Sequence, residues 1–279
     1  MKLSIIIPTY NRVLPLSLCL HALKSQTVAD FEVIVCDDGS SDGTEKLIRK
    51  FKTDYPLTYF KTDHHGAGTA RNKAAGKAKG EILVFIDADM EPHPEYLKKL
   101  IAPIVAGTSK GTFSKEEYVQ NSMNKWAMCW NYEYIHEKSD RRLPARHPDT
   151  SPVFRALLKS EFDRAGGYDP VGYGEDWTLS AKLGYLAVQA PDAIIYHRNP
   201  ATANEVFFQA RWLATRPHKL GEFGRFIGLL RASLPVSLIM AIWGMIRYRT
   251  AFYPVFKLVY DWGIFTGIIK WWVTGNHAA

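Results

Sequence analysis

Two carboxylates one residue apart, Asp87 and Asp89, follow directly on the apolar run Ile82-Leu83-Val84-Phe85-Ile86. Five β-branched, aliphatic and aromatic residues in a row read as a buried parallel strand, so the acids fall at its carboxyl end. In open α/β sheets ligands bind outside those ends, and an Asp-x-Asp there is placed to hold a divalent cation against a phosphate. The plainer alternative is a solvated turn, although two acids closing a buried strand repel each other without a cation. Asp37-Asp38 likewise follows an apolar stretch, residues 33–36, and leads into Gly39-Ser40. Asp38 can there accept from a ribose hydroxyl or a base N–H, or cap the next helix. Glu175-Asp176 stands in a glycine-flanked loop after Gly172-Tyr173-Gly174, where a carboxylate can be poised as general base or serve as an N-cap. Arg71 can pair with phosphate or remain a surface arginine. His197 is a candidate metal ligand, against the simpler reading of a packed or surface histidine. His64 and His65 read as loop residues.

The elements that must carry these side chains follow from the apolar pattern. Residues 3–7 read as a first buried strand that Pro8-Thr9-Tyr10-Asn11 brings to an end, because proline cannot continue a central ladder. Leu16, Leu20 and Leu23 recur at helical spacing. A second strand at 33–36 ends in a glycine-rich turn, and Asp42 with Glu45 suits the start of a helix running to about Lys52. A third strand at 57–60 and an alanine-rich helix closing at Gly80 precede the strand at 82–86. Strands alternating with helices predict an α/β fold with a mostly parallel sheet and helices on both faces. Residues 112–150 show no strand period and read as helices and loops. Phe154-Arg155-Ala156-Leu157-Leu158 leads to Gly166-Gly167-Tyr168-Asp169, a helix with Leu179, Leu183 and Leu186, and a short strand at 193–197.

The net charge of +7 over 279 residues fits nucleic acid, anionic lipid or a phosphorylated small molecule equally. Cys19, Cys36 and Cys129 are too few and too far apart for a disulfide framework or a metal-ligand spacing, which points to a reducing compartment. The N-terminus has neither the length nor the cleavage site of a signal peptide, so the globular part is expected in the cytosol. Residues 232–246 are uncharged, short of the roughly 20 that a span needs. Residues 251–274 are interrupted by Lys257, Asp261 and Lys270 and carry Trp262, Trp271 and Trp272, a composition suited to a membrane interface. A spanning hairpin would put Arg247 and Arg249 on the far side from Arg216, Lys219 and Arg225, against the positive-inside tendency. Interfacial or re-entrant helices on the cytosolic leaflet are therefore favoured.

Taken in order, Ser4-Ile5-Ile6-Ile7-Pro8-Thr9-Tyr10-Asn11, Val35-Cys36-Asp37-Asp38-Gly39-Ser40, Ala70-Arg71-Asn72 and Phe85-Ile86-Asp87-Ala88-Asp89 resemble the N-terminal signatures of family 2 glycosyltransferases, inverting enzymes of the GT-A nucleotide-sugar fold. Gly166-Gly167-Tyr168-Asp169 and Gly174-Glu175-Asp176-Trp177 are similar to the acceptor-side signatures, so the likeness covers about residues 3–200. Phe208-Gln209-Ala210-Arg211-Trp212 looks like the Gln-x-x-Arg-Trp-type motif of cellulose-synthase-like members, with Phe208 in place of the first Gln.

The resemblance implies a Mg²⁺- or Mn²⁺-dependent attack by an acceptor hydroxyl on a nucleotide-diphospho-sugar, GDP-mannose or a UDP-hexose. Pro8, Thr9, Tyr10, Asn11, Asp38, Arg71, Asp87 and Arg211 would meet the donor. Asp89, with His197, would hold the metal. Asp176 would act as base, and Glu175, Trp177 and Trp212 would line the acceptor side. The expected organisation is a donor-binding half at 1–110, an acceptor-binding half at 111–215 and a membrane-associated helical segment at 216–279. Its acceptor would be a lipid-linked saccharide met at the membrane surface, with the catalytic domain on the cytoplasmic side. Two alternatives remain: a polyprenyl-phosphate glycosyltransferase, whose phosphate acceptor needs no base, and a non-catalytic nucleotide- or nucleic-acid-binding module. Ordered carboxylates at strand ends argue against a nucleic-acid partner.

Overall fold

The computed structural model describes residues 2–51, 55–144, 146–171, 174–215 and 220–274. Lys52, Gly172, Tyr173, Arg216 and Lys219, which enter the sequence reading, lie outside them. The chain divides into two compact units, residues 1–118 with 145–197, and residues 119–144 with 198–278.

The elements run β1 (Leu3–Thr9), α1 (Val13–Lys24), β2 (Phe31–Asp37), α2 (Thr44–Lys50), β3 (Leu57–Lys61), α3 (Ala67–Ala75), β4 (Ile82–Phe85), β5 (Met90–Pro92), α4 (Tyr96–Val105), β6 (Gly111–Phe113) and β7 (Glu117–Val119). After α5 (Lys125–Ile135) come β8 (Thr150–Ser151), β9 (Ala156–Leu158), α6 (Lys159–Ala165), α7 (Glu175–Leu183), β10 (Ala187–Gln189), β11 (Ile195–His197), α8 (Ala203–Leu213), α9 (Gly221–Arg231), α10 (Leu234–Tyr248) and α11 (Tyr253–Thr274).

In the first unit an eight-stranded sheet has the order β3-β2-β1-β4-β9-β6-β10-β8. The block from β3 to β4 is parallel, and β9 enters antiparallel between β4 and β6. β1 and β2 are buried along their whole length, as continuous apolar strands covered by helices must be. Helix α1 seals one side with Leu16, Cys19, Leu20 and Leu23, a stripe at i, i+3, i+4 and i+7. The fold class is the α/β one that the pattern predicts.

Three details differ from the expectation. β1 runs through Pro8 to Thr9. Thr9 O accepts from Asp38 N and Ile6 O from Ile86 N, so the alternation turns Pro8 toward β4, whose pairing with β1 ends at Ile6; the missing N–H costs no ladder bond there. Helix α3 stops at Ala75, before Gly76. Residues 112–150 contain strands as well as helix, because β6 and β7 have three residues each, too few for a period-2 signal.

In the second unit α11 packs on α8 through a seam of small residues. A Cβ on Gly263 would fall 2.6 Å from Phe207 O and 2.8 Å from Ala210 Cβ, and one on Gly267 would collide with Arg211 O and Ala214 Cβ. Two of the charges that interrupt residues 251–274 point inward. Lys257 Nζ donates to Glu133 Oε1 at 2.7 Å and to Asp261 Oδ1 at 3.0 Å, and Tyr253 OH donates to Glu133. Lys257 and Asp261, which the sequence shows only as interruptions of an apolar segment, are buried. No single helix among the described residues is long and apolar enough to cross a membrane; α9 and α10 pass that test only together, bent by 68° at their break.

Candidate active site

The carboxyl ends of β1, β2 and β4 bring the predicted acids to one edge of the first unit. Asp38 is buried, and its carboxylate accepts from His64 Nδ1 at 2.7 Å, His65 N at 2.9 Å and Gly66 N at 2.8 Å. Thus the acid holds the loop that enters α3, rather than capping α2. Gly39, at φ +93°, is needed beside it, since a Cβ there would stand 3.3 Å from His64 N. Asp37 accepts from Ser40 N and Tyr59 OH, both at 2.8 Å. Asn11 N donates to Ser40 Oγ, and Asn11 Oδ1 accepts from Ser41 N, each at 2.8 Å, tying the turn after β1 to the turn after β2. Tyr10 is 45% exposed, whereas Thr9 is buried.

Arg71 is the centre of the charge pattern. Helix α3 buries it, and its guanidinium reaches Asp87 Oδ1 at 2.6 Å, Glu175 Oε1 at 2.6 Å and Asp176 Oδ1 at 3.3 Å. The next residue, Asn72, clamps the Gly166-Gly167-Tyr168-Asp169 loop: Asn72 Nδ2 donates to Tyr168 O at 2.8 Å, and Tyr168 N donates to Asn72 Oδ1 at 2.9 Å. One helical turn therefore positions acids from β4 and α7 together. Gly68 on the same helix gives Glu175 its room, because a Cβ there would lie 3.0 Å from Glu175 Cγ.

Asp87 is also bonded by Arg155 Nη1 at 3.2 Å, while Arg155 Nη2 pairs with Glu117 Oε1 at 3.2 Å. Burial alone would raise the Asp87 carboxyl, but Arg71 and then Arg155 outweigh it and hold the group well below the usual carboxylate range. For Glu175 the balance reverses: burial pushes its carboxyl up, and Arg71 offsets only part of that. Asp176 keeps 34% of its side chain exposed, against 10% for Glu175, so Asp176 is the accessible member of the pair. Trp177, beside it, is exposed. Sequence reading names Arg71, Asp87, Glu175 and Asp176 but expects the guanidinium to pair with phosphate rather than with these acids, and it misses Arg155 and Glu117 as site residues.

Asp89 Oδ1 lies 3.5 Å from His197 Nε2, the antiparallel pairing of β11 with β5 setting His197 opposite Met90. The carboxylate oxygen is a ligand type that suits Mg²⁺ or Mn²⁺, and the imidazole nitrogen one that transition metals accept. Among the described residues no group of three or more His, Cys, Asp or Glu converges as a metal cage. Arg211 and Trp212 belong to the second unit, on α8, where Trp212 is exposed.

The Glycosyl transferase family 2 profile matches residues 4–166, more than half the chain, and the protein belongs to that family. Among curated proteins it is similar to Glycosyltransferase AglE of Haloferax volcanii, 37% identical over 105 residues that make up 36% of this chain and 34% of that one. It is also similar to validoxylamine A glucosyltransferase of Streptomyces hygroscopicus subsp. jinggangensis, 38% identical over 104 residues, 36% of this chain and 25% of that one. The matched stretch thus spans about a third or less of those relatives. Among solved structures, mannosyltransferase PcManGT of Pyrobaculum calidifontis in complex with GDP-Man and Mn²⁺ aligns with TM-score 0.58 and 18% identity, over 98% of this chain and 88% of that one. S. aureus TarS 1-349 in complex with UDP-GlcNAc aligns with TM-score 0.56 and 18% identity, over 99% and 93%. These likenesses establish the fold as that of the GT-A glycosyltransferases.

Proposed function

We propose that this protein is an inverting glycosyltransferase that moves one sugar from a nucleotide-diphospho-sugar, GDP-mannose or a UDP-hexose, to a hydroxyl of a lipid-linked saccharide. The observation that carries the reading is the gathering of Asp87, Glu175 and Asp176 around one buried arginine. It joins the donor-side acid of β4 to the acids at the start of α7, and leaves Asp176 as the accessible carboxylate. Two curated relatives named as glycosyltransferases, and neighbours bound to GDP-Man with Mn²⁺ or to UDP-GlcNAc, support the substrate class.

In this reading Asp176 takes the proton from the acceptor hydroxyl as it attacks the anomeric carbon, and attack opposite the leaving diphosphate inverts that centre. Arg71 keeps Asp176 and Asp87 in register. Asp89 and His197 would hold Mg²⁺ or Mn²⁺, which when bound neutralises charge on the leaving diphosphate. Tyr10 and Asp38 meet the nucleoside, Trp177 the acceptor.

The lipid side of the proposal rests on α9 and α10, which leave Phe223, Phe226, Leu238, Ile239, Ile242 and Ile246 exposed, flanked by Arg231, Arg247 and Arg249. Such a pair fits the interface of an anionic cytoplasmic leaflet. Arg211 and Trp212, on α8 of the second unit, are proposed as the Gln-x-x-Arg-Trp-type pair that the resemblance implies.

The test is a panel of GDP- and UDP-sugars with Mg²⁺ or Mn²⁺, scored by nucleotide release with a lipid-linked acceptor. Asp176→Asn should lower kcat by about 10²–10⁴-fold with donor binding retained. Retained turnover in that variant would favour a phosphate acceptor over a hydroxyl.

A further inference from the structure

His64 lies between β3 and α3, and its ring stacks on Tyr10 with centroids 4.1 Å apart and planes 14° apart. Its Nδ1 stands 2.7 Å from Asp38 Oδ2. An ionised carboxylate only accepts, so Nδ1 carries the hydrogen and donates it. A flat nitrogen ring that stacks on Tyr10 and donates an N–H to Asp38 makes the two contacts a nucleobase would make at this edge. The rings are in contact, and a base between them would need roughly twice that separation.

Resting on the donor reading above, we infer that His64 is an internal stand-in for the donor's base, which must displace it to reach Tyr10 and Asp38. The movement is confined to the side chain. His65 N and Gly66 N hold the loop backbone to Asp38 independently of the imidazole. The imidazole is 35% exposed, so rotation toward solvent breaks no core packing. His64 thereby becomes a determinant of donor affinity: a site filled by its own side chain binds more weakly in proportion to the fraction of molecules in which it is open. A base that stacks poorly, or lacks an N–H for Asp38, displaces the imidazole less well, which gives the contact a role in base selection.

The experiment titrates the full-length protein with UDP, GDP and base-free pyrophosphate, each with Mn²⁺, by calorimetry, and repeats it with His64→Ala. Removal of the competing ring should tighten UDP or GDP binding on the order of tenfold and leave pyrophosphate binding unchanged. A second readout needs no substitution. The His64 Hε1 resonance, shifted upfield by the Tyr10 ring in the free protein, should move to an unstacked position when the nucleotide binds. Equal or weaker nucleotide binding by a folded His64→Ala protein, or an upfield His64 signal that persists in the complex, overturns the inference while the donor reading stands. Failure of both UDP and GDP to bind either protein overturns the donor reading itself, and the stand-in with it.

Discussion

Arg71 shows how much of the site's chemistry rests on one side chain. Its guanidinium is buried among Asp87, Glu175 and Asp176, and its rigid planar fork of five N–H donors meets acids on two sides in one fixed geometry, which a shorter-reaching, freely rotating ammonium reproduces only in part. Among the described residues, deleting it leaves Asp87 paired with Arg155 and Glu175 buried with no ion-pair partner. Arg71→Ala is expected to cost about 3–5 kcal/mol of stability, read from urea unfolding, and Arg71→Lys to recover only part of it. At this scale the sequence is legible where the signal is local. Asp38, Asp87 and Asp89 fall at strand ends that the apolar runs predict. That Arg71 faces acids is not legible, because Glu175 stands 104 positions away along the chain. Arg155 carries no local signal either; only the insertion of β9 beside β4 brings it to Asp87.

Helix α6 is anchored through one acid. Glu161 accepts from Arg164 Nη2 at 2.6 Å, Lys110 Nζ at 2.9 Å and Tyr185 OH at 3.0 Å. These donors, Arg164 foremost, lower its carboxyl from the ordinary 4.5 to about 2. A depressed folded-state value means the stabilisation is fully present above pH 4.5 and is lost as pH falls toward 2. Glu161→Gln should therefore be less stable than the wild type at neutral pH, with the gap closing between pH 4.5 and 2 in thermal melts across that range. Elements long enough to show a period are legible in the sequence: α1, β1, β2 and β4 stand close to their expected places. β6, β7 and β10, at three residues each, are set by pairing rather than by pattern. The inward side of α11 is illegible for a different reason: Lys257 donates to both Asp261 and Glu133 inside the second unit, and a partner on a distant helix leaves no trace in local composition.

At the scale of the whole molecule, the first unit carries the acids and the second carries the apolar surface. If α9 and α10 meet a bilayer, Ile239→Asp with Ile242→Asp should reduce co-sedimentation with anionic vesicles at least tenfold, while nucleotide binding by the first unit stays unchanged; full retention on vesicles would remove the membrane reading. The second unit also has a seam that fixes its own geometry, and Gly267→Val, which forces a branched side chain into Arg211 O and Ala214, should lower its melting temperature markedly. The seam has one more consequence. The glycines of α11 lie against the backbone of Arg211 itself, so α8 has no independent freedom to fray or slide. Amide hydrogens of α8 should exchange with solvent only when α11 lifts away, at one shared rate, and the residues around Arg211 and Trp212 would then open as part of a single cooperative unit.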